Sequence, residues 1–189
     1  MRISSAQNLT DEALVFEIAE TNSTKLFAVL YDRFSKVVYN KCYGFSINKE
    51  EAEDLTHDVF ILLFDKLKTF KGNSKFSTWL YSFTYNFCVN YVQRNHQKKK
   101  EKVTVITDQI KDDSDADEIE DAQLFKLKSE NLAKAFTLID AKEKMILLMK
   151  YQDDMTIREI SDALEIGESA VKMRIKRAKE KVVSVYQEL

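Results

Sequence analysis

Proline is absent from this 189-residue chain, and glycine occurs only three times, at Gly44, Gly72 and Gly167. Long helices therefore meet few breakers, and a chain rich in Leu, Lys, Glu and Ala favours helices joined by short turns. Cysteine is almost as scarce. Cys42 and Cys88 are too few for a disulfide framework or a cysteine metal site, and their apolar helical contexts suit buried, reduced thiols. His57 and His96 lack a matching set of ligands, and no glycine-rich phosphate loop or Ser/His/Asp or Cys/His constellation stands out. No metal, no cofactor and no enzymatic activity are expected. Apolar runs such as Val59 to Phe64 fall far short of the roughly 20 residues of a membrane span. The N-terminus lacks the basic-then-apolar order of a signal peptide. No membrane insertion is expected, and the location expected is the cytoplasm.

What the chain does have is segregated charge. Its formal net charge is −2, whereas DNA-binding domains are usually basic. The distribution along the chain tells more than the sum. Arg94, Lys98, Lys99, Lys100 and Lys102 stand against Glu101 alone. Residues 108–121 hold Asp108, Asp112, Asp113, Asp115, Asp117, Glu118, Glu120 and Asp121 against Lys111. Residues 168–181 hold Lys172, Arg174, Lys176, Arg177, Lys179 and Lys181 against Glu168 and Glu180. Two cationic patches flank an anionic stretch. Charge blocks are often just solvated faces, so they acquire meaning only from their context.

The stretch 103–122 also lacks sustained apolar periodicity, and so many Asp and Ser residues cannot bury enough surface to offset ordering entropy. It reads as a flexible acidic linker between an N-terminal domain at 5–102 and a C-terminal domain at 123–189. The fold class expected is all-α, with two small helical domains and a helix-turn-helix in the second.

In the C-terminal part, Leu124, Leu127, Leu132, Phe136 and Ile139 suggest one helix, and residues 142–151 a second, with Met145, Leu148 and Met149 inward. Thr156 followed by Glu159 is a capping-box pattern opening a third helix through Ile160, Ala163 and Leu164. A break follows at Glu165-Ile166-Gly167, where Gly167 suits a left-handed turn. The last helix then repeats Val171, Ile175, Ala178 and Val182 as a single apolar stripe. Ser169, Lys172, Met173, Lys176 and Arg177 take the opposite face, with Arg174 at its flank. A short helix, a tight turn and a basic helix form the unit that places its second helix in the major groove. An ordinary helical hairpin with a solvated lysine face is the bland alternative.

Three long helices are expected in the N-terminal part, at about 23–44, 49–70 and 75–97. In the middle one Leu55, Val59, Leu62 and Leu63 form the inward stripe, while Asp54, His57, Asp58, Ile61 and Phe64 share the other side. A mixed acidic and apolar outer face suits a partner protein's helices, although a second packing surface would show the same spacing. The turn at 71–74 leads into Lys75, Phe76, Ser77, Thr78 and Trp79, and the helix beyond carries Tyr81, Tyr85, Asn86, Asn90, Tyr91 and Arg94. Aromatics beside Lys, Ser and Asn can stack on unpaired bases and bond their edges. Phe83 and Phe87 are expected in the core.

Ala52-Glu53-Asp54-Leu55-Thr56-His57-Asp58-Val59-Phe60, then Phe76-Ser77-Thr78-Trp79-Leu80-Tyr81 and Tyr85-Asn86, resemble the region-two domain of extracytoplasmic-function (ECF) sigma factors of the sigma-70 family. Ile160 to Leu164, through Gly167 to Val171-Lys172-Met173-Arg174, is similar to their region-four domain. The resemblance covers nearly the whole chain, in the same order. It implies an alternative sigma factor that binds RNA polymerase core, directs it to promoters by reading the −35 and −10 elements, and promotes DNA melting.

Under that resemblance, Asp54, His57, Asp58, Ile61 and Phe64 would dock on the β′ clamp helices. Lys75, Phe76, Ser77, Thr78, Trp79, Tyr85, Asn86, Asn90 and Arg94 would engage and melt the −10 element. Ser169, Lys172, Met173, Arg174, Lys176 and Arg177 would read the −35 element, and other surfaces of that domain would meet the β flap. An anti-sigma factor or another recruiting factor is a further partner implied. Two positions depart from the family pattern: His57 stands where glutamine is common, and Asn90 where aspartate often is. Two other classes fit the residues alone. A conventional regulator would bind duplex DNA without polymerase, and a helical adaptor would bind protein only.

Overall fold

The computed structural model describes residues 7–100 and 129–189, and all regular structure among them is helical. The expected linker at 103–122 lies outside the described residues. The chain divides into two compact units between residues 91 and 92, within its longest helix.

The first unit contains α1 (Asp11–Thr21), α2 (Thr24–Tyr43), α3 (Lys49–Lys66) with a short 3-10 turn at Leu67–Thr69, and the part of α4 (Phe76–Lys100) that runs to Tyr91. Polar residues start three of these helices by satisfying first-turn amides. Ala13 N–H donates to Thr10 Oγ1 at 3.2 Å, Leu26 N–H to Ser23 Oγ at 3.4 Å, and Glu51 N–H to Asn48 Oδ1 at 2.8 Å. Glu51 also accepts the Ile47 N–H and the Tyr91 hydroxyl, the latter at 2.6 Å, which ties α3 to α4.

Leu14, Val15 and Ile18 of α1, Leu30 and Val38 of α2, Leu55, Val59 and Leu63 of α3, and Leu80 of α4 meet in one core. Each such burial contributes about 1.5–3 kcal/mol. Helix α1 is an addition to the three helices expected from the sequence; at 11 residues it is too short for its apolar period to repeat often enough to stand out. Leu62, expected inward, is exposed instead, because the stripe turns through Ala52, Thr56 and Phe60. Phe83 and Phe87 are half-buried rather than enclosed.

Lys41 is 1% exposed, and its ammonium lies 3.8 Å from the Tyr81 ring centroid and 4.9 Å from that of Tyr85. Ring quadrupoles of α4 thus offset the desolvation of an α2 charge, and fasten the two helices. Beside it, Cys42 and Cys88 are both buried with sulfurs 3.9 Å apart. The bond to Cys42, together with burial, pushes the Cys88 thiol well up, so it stays protonated.

The second unit contains α5 (Ser129–Leu138), α6 (Ala141–Leu147) continuing into a π-helical turn at Leu148–Gln152, α7 (Ile157–Leu164) and α8 (Glu168–Gln187). A reciprocal capping box opens α6, between Asp140 and Glu143. Another opens α7: Glu159 N–H donates to Thr156 Oγ1 at 3.1 Å, and Thr156 N–H to the Glu159 carboxylate at 2.9 Å. Val171, Ile175, Ala178 and Val182 form the buried stripe of α8. Among the described residues, no helix is long and apolar enough to cross a membrane.

The turn between α7 and α8 departs from expectation at its pivot. Glu165, not Gly167, takes the left-handed conformation, with φ 54°. Gly167 has φ −65° and caps α8 in extended conformation. The reason lies in Ser161, whose hydroxyl donates to the Ile166 carbonyl while its own carbonyl accepts the Ile166 N–H at 3.1 Å. These bonds close the turn one residue after the end of α7, before the chain reaches the glycine.

Candidate nucleic-acid interface

Helix α8 buries one face and presents another. Ser169, Lys172, Met173, Arg174 and Arg177 are exposed, and Lys176 is partly so beside Glu180 at 3.9 Å. Surface pairs of this kind contribute little, so Lys176 can exchange Glu180 for another anion at small cost. Met173 is an exposed thioether, 50% accessible, within a cationic face. All six residues singled out in the sequence therefore lie on one helix, clear of the core. Cations of this geometry contact phosphates and guanine edges, and an apolar tip suits a thymine methyl.

Helix α4 divides the expected base-contacting residues into two sets. Phe76 and Tyr85 are both 0% exposed, and Thr78 is buried as well. These side chains, expected from the sequence to touch DNA, are enclosed and lie off the exposed surface of α4. The helix is buried over a broad arc, with Phe76, Leu80, Thr84 and Cys88 along one side of it and Thr78, Ser82, Tyr85 and Val89 along the other. Phe76 packs edge-on against Phe34 and Phe70, at 5.4 and 5.5 Å between centroids. Tyr85 meets Phe45 at 6.1 Å and receives Lys41.

The other set faces outward. Lys75, Asn86, Asn90 and Arg94 are exposed, and Ser77 and Trp79 half-exposed. Trp79, Asn86, Asn90 and Arg94 share one stripe, and Phe83 joins it. Phe83 was legible at the i+4 spacing from Trp79, but an aromatic at helical spacing more often belongs to a core. Asn86 is lightly held, its amide donating to Ser82 Oγ at 3.5 Å. The stripe offers ring surface first, then amides, then a cation.

The turn before α4 is fixed from two sides. Gly72 has φ 72°, and a Cβ there would lie 3.1 Å from the Phe16 ring. Phe76 N–H donates to Glu12 Oε1 at 2.9 Å. That bond, helped by nearby Lys75, holds the Glu12 carboxyl below its ordinary pKa.

On α3, Asp54, His57, Asp58 and Ile61 are exposed, with Ile61 at 67%. Leu62 and Asp65 extend this face. Phe64 is half-buried, edge-on to Phe27 at 5.0 Å. The result is a mixed apolar and acidic surface distinct from the aromatic stripe of α4.

An exposed cationic helix in a helix-turn-helix unit and an exposed aromatic stripe in the other unit fit the class of helical DNA-binding proteins. Comparison with known proteins makes this specific. Residues 30–98 match sigma-70 region 2, and residues 129–182 match sigma-70 region 4. The ECF RNA polymerase sigma factor SigW of Bacillus subtilis is 28% identical over 166 residues, covering 82% of this chain and 85% of the relative. The ECF RNA polymerase sigma-E factor of Escherichia coli K12 is 24% identical, covering 97% and 98%.

Two solved structures share the fold. The sigma factor RpoE in the Bartonella quintana complex with the anti-sigma factor NepR gives a TM-score of 0.61 at 16% identity, covering 87% of this chain and 98% of that one. CnrH in complex with the cytosolic domain of CnrY gives 0.58 at 18%, covering 94% and 97%. The chain belongs to the sigma-70 family, as an ECF sigma factor with regions 2 and 4. It directs RNA polymerase to promoters for transcription initiation, and binds polymerase core and DNA as sigma factors do.

Proposed function

We propose that α8 reads the −35 element while the outward stripe of α4 captures unpaired bases of the −10 element. The observation that carries this is the half-exposed Trp79–Phe83 stack running into Asn86, Asn90 and Arg94. Lys172, Arg174, Lys176 and Arg177 supply phosphate and guanine contacts, Met173 an apolar one, and Ser169 a contact at the helix start. Trp79 and Phe83 take a base on their ring surface, with Lys75 and Ser77 beside it. Asn86, Asn90 and Arg94 engage neighbouring bases and phosphates. Phe76, Thr78 and Tyr85 act from beneath, as the support that keeps the stripe rigid.

Extruding a base costs a few kcal/mol, and stacking it on a preformed aromatic surface offsets that cost. The captured base then holds the melted bubble open. The chain needs no chemistry of its own, because bond formation belongs to the polymerase.

The exposed face of α3, Asp54, His57, Asp58, Ile61 and Leu62, is the docking surface we assign to the β′ clamp helices, with Phe64 supporting it from the α2 side. The second unit meets the β flap through surfaces away from α8. Both structural neighbours are complexes with a partner, one of them an anti-sigma factor. That supports control of this chain by a protein of the same kind, covering these docking faces. The site of action is then the bacterial cytoplasm, where the polymerase is. The 103–122 stretch serves as the connection between the domains at 5–102 and 123–189.

Permanganate footprinting tests the capture step. Wild-type holoenzyme should render −10 thymines reactive, and Trp79→Ala holoenzyme should not. Equal reactivity would remove Trp79 from the melting site.

A further inference from the structure

We propose that helix α1 positions the promoter-melting site, and that Glu12 is its positioning residue. This rests on the assignment of base capture to the Trp79 stripe.

The first amides of a helix lack intrahelical partners and call for an acceptor side chain just before the helix. Lys75 stands before α4 and has no acceptor to give. The acceptor comes instead from 64 residues earlier, where Glu12 Oε1 takes the Phe76 N–H at 2.9 Å. A carboxylate is the best group for that place, since it also meets the positive end of the α4 dipole. The lowered pKa of Glu12 agrees with this geometry.

A second contact from α1 reaches the same turn. The Phe16 ring stands where a side chain at Gly72 would go, and packs on Phe70 with centroids 5.7 Å apart. Phe70 in turn backs Trp79 at 5.6 Å. Helix α1 thus fixes both ends of the turn from Gly72 to Phe76, and through Phe70 the tryptophan itself. It is anchored independently, by Arg33 bonded to Asp11 at 2.7 Å and to the Gln7 carbonyl at 2.9 Å. It also lies ahead of residues 30–98, which match region 2.

Glu12 does not carry the core. Leu14, Val15 and Ile18 bury the helix, while Glu12 sits half-exposed at the rim. Removing its carboxylate should leave the fold and the α3 face intact while freeing the turn before Trp79.

The test uses reconstituted holoenzyme on a promoter from which the wild type initiates, with permanganate reactivity of the −10 thymines as readout. Core-polymerase affinity and thermal unfolding of the free chain are measured alongside. Glu12→Ala should reduce promoter opening by about three- to tenfold, the effect of losing a helix cap, with core affinity unchanged. Glu12→Gln, which keeps an oxygen acceptor without the charge, should fall between. Opening at the wild-type level by Glu12→Ala, with Trp79→Ala defective, would overturn the inference alone. Opening by both variants would overturn base capture itself. Parallel loss of core affinity and opening in Glu12→Ala would make the residue merely structural and also overturn it.

Discussion

Trp79 and Phe83 stand one turn apart on α4 with their rings stacked, centroids 5.6 Å apart and planes 11° from parallel. Both are half-exposed, and Trp79 is backed by Phe70 and Phe76 at 5.6 and 5.9 Å. The ring surface is therefore held before any base arrives, and little side-chain freedom remains to be lost on binding. Trp79→Ala should lower promoter opening by about 5- to 160-fold, the equivalent of about 1–3 kcal/mol for one stacked base. Trp79→Phe should recover most of it. The check is stopped-flow fluorescence of a 2-aminopurine placed in the −10 element.

Lys176 tests the proposed DNA surface of α8. If it contacts a phosphate, Lys176→Ala should reduce the salt slope of promoter binding by about 0.9. Titrations of holoenzyme at several salt concentrations measure this, and an unchanged slope would take Lys176 out of the interface. The Glu180 pair at 3.9 Å is exposed enough that its loss should shift unfolding little.

A substitution on the α3 face tests the proposed separation of polymerase binding from DNA binding. Ile61 is 67% exposed, so Ile61→Asp should change stability by no more than about 0.5 kcal/mol. Its effect should appear instead as weaker capture of core polymerase in gel filtration, with the affinity of α8 for −35 duplex unchanged.

Much of this was readable in advance, and the gaps have physical causes. The stripe of α8 and the capping box of α7 are strong local signals, because one period or one residue pair decides them. Leu62 misled because the buried stripe of α3 runs through Ala52, Thr56 and Phe60 rather than the leucines alone. Phe76, Thr78 and Tyr85 are enclosed although their residue types suit base contact, because residue type says nothing of direction and α4 is buried on two of its sides. The partnership of Glu12 with Phe76 spans 64 residues, and no local pattern announces it.

The α7–α8 turn gives a pair of stability predictions. Glu165 holds a left-handed backbone at φ 54°, so Glu165→Gly should stabilise the second unit by about 0.5–1 kcal/mol. Gly167 lies at φ −65° with open space where a Cβ would go, so Gly167→Ala should cost no more than about 0.5 kcal/mol. Denaturant titration of the two variants reads both. A large loss at Gly167 would return the pivot to the glycine.

A pH series isolates the Glu12 cap. Its folded pKa lies below the ordinary 4.5, so its stabilisation is fully present above that value. It is lost as pH falls through the lowered folded value. The melting-temperature gap between wild type and Glu12→Gln should be constant from neutral pH down to about 5, then close on further acidification. A gap that widened with acid would contradict the charged cap.

Run-off transcription measures the central claim most directly: purified core RNA polymerase on a pool of genomic promoter fragments, with and without this chain. New start sites should appear only with the chain and share −35 and −10 sequences upstream. No new initiation, together with no stable complex with core polymerase on gel filtration, would contradict it.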